Sequence, residues 1–67
     1  MKKLRELREH RVLSMRELQQ ISGVSYNTVW RLERGERKAQ PRTVRALAQA
    51  LGVEPHELLE DPEGGDE

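Results

Sequence analysis

The densest group of side chains able to engage a polar partner is the stretch Ser25-Tyr26-Asn27-Thr28-Val29-Trp30-Arg31-Leu32-Glu33-Arg34. Wound as a helix with Val29 and Leu32 turned inward, it places Tyr26, Asn27, Trp30, Arg31 and Arg34 on the solvent side. Asn can pair bidentately with adenine and Arg with O6 and N7 of guanine, each worth about 1 to 3 kcal/mol of discrimination. An outward face of Asn, Arg and aromatics therefore suits base edges, and Thr28 adds a contact for a phosphate or a thymine methyl. The alternative is a merely solvated face, which is more often built of Glu and Lys. Trp30, the single tryptophan, has two readings. Either its indole N–H donates to a phosphate or its ring lies on a sugar, or it packs across the foot of the preceding helix and fills space.

Little else in the chain suggests chemistry. His10 and His56 stand at opposite ends of the sequence, neither with a second ligand at metal spacing, so both read as surface residues and no metal is expected. No Ser-His-Asp set, phosphate-cradling glycine loop or paired-carboxylate pocket can be assembled, and 67 residues leave no volume for a substrate pocket. Neither an enzyme nor a cofactor is expected. Cysteine is absent, which excludes a disulfide framework and a thiolate site and fits a reducing compartment. Met1-Lys2-Lys3-Leu4 opens like a secretory signal, but Arg5-Glu6-Leu7-Arg8-Glu9 follows with no apolar stretch. Neither export nor a membrane span is expected, and the natural location is the cytoplasm.

Net charge is zero, but it is unevenly spread. Residues 1–53 hold all 12 Lys and Arg against 5 acids, a net +7, whereas residues 54–67 hold 7 acids and no base, a net −7. Such a pattern fits a polyanion-binding body with an acidic tail that limits indiscriminate binding. Charge alone leaves open the plainer alternative of a solvated tail beside an ordinary charged surface.

The elements that must hold the chemistry-bearing stretch are legible from their caps. Leu4 and Leu7 share one face of a first helix over roughly residues 2 to 11. Ser14-Met15-Arg16-Glu17 is a capping box, flanked by Leu13 and Leu18 as a hydrophobic staple. The second helix that follows carries Met15, Leu18 and Ile21 on one side and stops at Gly23. Ser25 caps the third helix, with Val24 stapling onto Val29, and Gly35 closes it. After a polar loop over 35–40, Pro41 opens a fourth helix in which Val44, Leu47, Ala48 and Leu51 form one apolar stripe ending at Gly52. Glu54-Pro55 begins a short fifth helix, with Val53 placed to staple onto Leu58. No segment alternates with period two. The expected fold is all-α, a compact five-helix bundle over residues 1–60, with 61–67 as a disordered acidic tail.

A short glycine-bearing turn between the second and third helices forces a steep crossing, the helix-turn-helix geometry that presents the second of the pair to the major groove. The residues also show a family likeness. Leu13-Ser14-Met15-Arg16-Glu17-Leu18 through Gly23-Val24-Ser25 to Leu32-Glu33-Arg34-Gly35, then Ala50-Leu51-Gly52-Val53, resembles the Xre/Cro-type helix-turn-helix family of phage and bacterial repressors. The likeness covers residues 4 to 59. It implies a repressor-like DNA-binding domain in a transcriptional regulator, usually acting as a homodimer. It further implies Tyr26, Asn27 and Arg31 as base readers.

Phosphate contacts are expected from two places. One is the N-terminus of the second helix at Ser14 to Arg16, whose free amides suit an anion, with Ser25, Trp30 and Arg34 beside the reading helix. The other is the loop bearing Arg37 and Lys38. Met15 stands where many family members carry Gln, which leaves Arg16 to take that contact, and Gln19 stands where a small residue is common. Glu33 falls on the buried side, where a carboxylate is costly without a partner. Arg8 is the candidate, and the resemblance implies an ion pair between them; otherwise Glu33 turns out to solvent. The dimer patch is expected on the fifth helix and around Arg42 and Glu54, with Leu58 or Leu59 shared. Two other roles remain open: an antitoxin or restriction-system controller that holds a protein partner while regulating its own operon, and a pure protein-interaction module.

Overall fold

The computed structural model describes residues 1–59, and among them it contains five helices and no strand. These are α1 (Lys2–His10), α2 (Met15–Ser22), α3 (Tyr26–Glu33), α4 (Pro41–Leu51) and α5 (Pro55–Leu59). The acidic stretch 61–67, expected as a tail, lies with Glu60 outside the described residues.

Local sequence sets where each helix begins. Ser14 Oγ accepts the Glu17 N–H at 3.0 Å while Glu17 Oε1 accepts the Ser14 N–H at 2.8 Å, closing the capping box of α2. Ser25 caps α3 by accepting the Thr28 N–H, and Pro41 occupies the first turn of α4, where no amide is needed. Glu57 reaches back to the Glu54 N–H at the start of α5.

The ends of α1 and α3 share one hydrogen-bond pattern but differ in the residue that bears the strain. After α3, the Gly35 N–H donates to Leu32 O and the Glu36 N–H to Arg31 O, a Schellman turn around Gly35 at φ 76°. After α1, the Val12 N–H donates to Glu9 O and the Leu13 N–H to Arg8 O, the same turn, but its left-handed residue is Val12 at φ 55°. A β-branched residue is a genuine outlier there. Val12 is 86% exposed, so packing does not compensate for the strain.

The core is aliphatic throughout. Leu4, Leu18, Leu32, Leu47, Leu51, Leu58 and Val29 are fully buried, with Val44 and Ala48 beside them; each leucine contributes about 1.5 to 3 kcal/mol by leaving water. Helix α3 packs on α1 and on α2, α2 also packs on α4, and α5 closes the base against α1 and α4. With Val29 and Leu32 set into this core, the opposite side of α3 faces outward.

One expectation is corrected by α2. Its inward stripe is Met15, Leu18, Gln19 and Ser22, at i, i+3, i+4 and i+7, and Ile21 lies off it, 54% exposed. Two polar residues occupy inward positions because each meets a backbone donor at the turn. The Gln19 side-chain oxygen accepts the Tyr26 N–H, and Ser22 Oγ accepts the Val24 N–H at 3.1 Å.

Candidate nucleic-acid interface

The join between α2 and α3 is Gly23-Val24-Ser25, and its backbone is held from both sides. Gly23, left-handed at φ 79°, donates its N–H to Gln19 O and ends α2. Gln19 then reaches across the turn to the first amide of α3, which fixes the start of α3 to the body of α2. Half-buried Val24 packs against the core beneath.

On this support the outer face of α3 presents two kinds of side chain. The side chains of Asn27 and Arg31 are exposed and, among the described residues, have no hydrogen bond, ion pair or ring contact. Tyr26 and Trp30 are half-buried, and each carries an arginine: the Arg16 guanidinium lies 4.7 Å from the Tyr26 ring centroid and that of Arg34 lies 4.6 Å from Trp30. Thr28 is also half-buried, and Ser25 Oγ donates to its hydroxyl at 2.9 Å, so these two hydroxyls occupy one another at the start of the helix. Arg34 Nε is held by Glu36 Oε2 at 2.9 Å.

The cations surround this face unevenly. Arg16, in the first turn of α2, is drawn onto α3 by its contact with Tyr26. The capping box uses the Ser14 and Glu17 N–H groups, while Ser14 Oγ only accepts in it, so that terminus offers an anion the Met15 and Arg16 amides and the Ser14 O–H. Arg37 and Lys38 are exposed in the loop after Gly35, and they line a groove with Met1, Ala39, Leu58 and Leu59 that runs toward α5 rather than beside α3. Sequence reasoning named Arg16 and Arg34 without seeing their stacks, and it missed the Gln19 bond. The available signal was the pair of aromatics four residues apart on one helix.

Behind the outer face of α3, Arg8 and Glu33 form a bidentate pair. Arg8 Nε donates to Glu33 Oε2 at 2.6 Å and Nη2 to Oε1 at 3.0 Å, while Nη1 donates to the Leu13 carbonyl at 2.8 Å. The two side chains are 10% and 4% exposed, and no buried side-chain polar atom among the described residues lacks a partner. One arginine thus links α1, the turn before α2 and the last turn of α3. The hydrogen bond to Glu33 raises the Arg8 pKa above its ordinary value, and outweighs the opposing effect of burial. Among the described residues no cluster of His, Asp or Glu can hold a metal ion, and no helix is long and apolar enough to cross a membrane.

Comparison with known proteins bears on this geometry. A helix-turn-helix domain model matches residues 2–60. Among solved structures, the chain is similar to the restriction-modification controller protein C.AhdI from Aeromonas hydrophila. The two share 40% identity and a TM-score of 0.82 over 85% of this chain and 86% of that one. No curated protein matches. With the family's model covering nearly every described residue and 85% of the chain matching the structure of a controller protein, the chain belongs to the helix-turn-helix, repressor-like family of DNA-binding domains that serve transcription regulation.

Proposed function

We propose that the protein binds double-stranded DNA sequence-specifically as a small repressor, with α3 lying in the major groove. The observation that carries this reading is the outer face of α3, where Asn27 and Arg31 are exposed and unengaged on a helix whose other side is locked into the core. In this reading Tyr26, Asn27, Thr28 and Arg31 meet base edges. Ser14, Arg16, Ser25, Arg34, Arg37 and Lys38 hold phosphates, with Trp30 beside Arg34.

One helix reads too few base pairs to single out a genomic site, so the active species is a twofold dimer on a near-palindromic operator, with half-sites about 10 bp apart or a multiple. Leu59 is the best candidate for the twofold patch. It is 63% exposed and borders an apolar groove lined by Ala39, Pro41, Val44, Arg45 and Pro55. Leu58, the other candidate, is fully buried in the chain's own core and is not available to a partner. The likeness to a restriction-modification controller favours a controller of such a system over an antitoxin or a pure interaction module.

Selection of bound sequences from a random duplex library tests this directly. A twofold-symmetric motif is expected. Absence of any enriched sequence, or affinity for random duplex that does not fall with added salt, would overturn the proposal.

A further inference from the structure

Aromatic residues are scarce in this chain, one Trp and one Tyr with no Phe, and the core contains neither. Both lie on α3 four residues apart, one turn above the other on the same face. Each is half-buried, and each is covered by an exposed arginine within 4.7 Å of its ring centroid. The rings are therefore fixed parts of the fold and the cations form the layer outside them. Trp30 also walls a cleft of about 220 Å³ with Arg5, Arg8, Met15, Glu33 and Arg34. Arg8 and Glu33 neutralise each other within it, and its other two cations, the exposed Arg5 and Arg34, are each paired through Nε, with Glu9 at 3.1 Å and Glu36 at 2.9 Å, and keep only their Nη groups.

We infer that the faces of the two rings are platforms for phosphate-binding arginines, which leaves the Tyr26 hydroxyl for a base edge, and that Trp30 acts on DNA as a positioning residue, through Arg34 and not through its own N–H. The inference rests on the DNA-binding reading above. A guanidinium stacked on a ring uses its face and leaves its in-plane N–H edge free for a bidentate phosphate contact. In Arg34 that edge is narrowed further: Glu36 takes Nε, and the two Nη groups remain. An unrestrained arginine loses rotamer freedom when it closes on a phosphate, at a cost equivalent to about two- to tenfold in affinity, and stacking removes part of that cost before DNA arrives. The two stacks stand toward opposite ends of the reading helix, Arg16 over its first residue and Arg34 at its C-cap.

The test is a double-mutant cycle on the full chain. Binding to a short labelled duplex of arbitrary sequence is measured at low salt, because the phosphate term does not depend on sequence. Trp30→Leu should weaken binding measurably but by less than about tenfold, the most that ordering the arginine costs, and it should cost nothing further when added to Arg34→Ala. Trp30→Phe should keep most of the affinity. Arg34→Lys, which retains charge but not the planar stack, should match Trp30→Leu. Thermal melting of each variant separates this from a packing role, and if Trp30→Leu does not fold, the Arg34→Lys and Trp30→Phe results decide. A full additive loss from Trp30→Leu in the Arg34→Ala background, or no effect of Arg34→Ala, overturns the inference while leaving the DNA-binding reading intact. Wild-type protein that binds no duplex overturns both.

Discussion

Replacing Arg8 by Met deletes three hydrogen bonds at one stroke, two to Glu33 and one to the Leu13 carbonyl. The methionine fits the space but leaves a carboxylate that is 4% exposed with no cation. Breaking a buried pair in this way costs about 3 to 5 kcal/mol, because the surviving charge remains desolvated. A domain of this length has a total stability of roughly 3 to 10 kcal/mol, so the substitution removes a third of it or more. At about 4 to 8 °C per kcal/mol, the melting temperature should fall by more than 10 °C, or cooperative unfolding should be lost. Thermal and urea unfolding followed by circular dichroism measures this. The companion is Arg8→Met with Glu33→Leu, which exchanges the pair for apolar contact and should regain most of the loss. An Arg8→Met melting curve superimposable on wild type, or a double variant no more stable than the single, would refute the assignment of this pair as the tie between α1 and α3. Acidity enters in one direction only. The Arg8 pKa is raised, so its contribution is complete below the unfolded value and is lost only as pH rises through the folded one. Arg8 therefore stays charged at neutral pH.

Three further expectations follow from particular residues. Val12→Gly removes a left-handed strain of roughly 1 to 2 kcal/mol against a glycine entropy cost of about 0.5 to 1, so it should raise the melting temperature by a few degrees; a fall would contradict the strain. Arg31→Ala should weaken the best site by about 1 to 3 kcal/mol and relax preference at one base pair, whereas Lys38→Ala should weaken all duplexes alike; equal losses on specific and random DNA for both variants would remove the division between readers and clamps. Leu59→Glu places a charge on an exposed apolar patch, so it should shift the proposed dimer to monomer in sedimentation while leaving the melt nearly unchanged; a dimer that persists would move the interface elsewhere.

Most of the fold was legible because its signals are local. Ser14 with Glu17, Ser25, Pro41 and the glycines at 23, 35 and 52 each satisfy or release a backbone group within a few residues. The misreading of α2 has the same origin in reverse. Periodicity sorts residues by polarity and places Ile21 inward, but Gln19 and Ser22 hold the inward positions because they meet amides across the turn. The left-handed turn at Val12 carried no glycine to announce it. At the candidate site, the outward face of α3 followed from the inward placement of Val29 and Leu32, whereas the arginine stacks depend on where α2 lies against α3, which no single segment encodes.

The most direct probe of a reading role for α3 is guanine N7, which is exposed in the major groove and is blocked by methylation. On a selected site, methylation of a guanine in each half-site should abolish wild-type binding, and Arg31→Ala, carried by both subunits, should become indifferent to the equivalent guanine in each half-site. Wild-type affinity that is unchanged by N7 methylation at every guanine of the site would contradict major-groove reading by this helix.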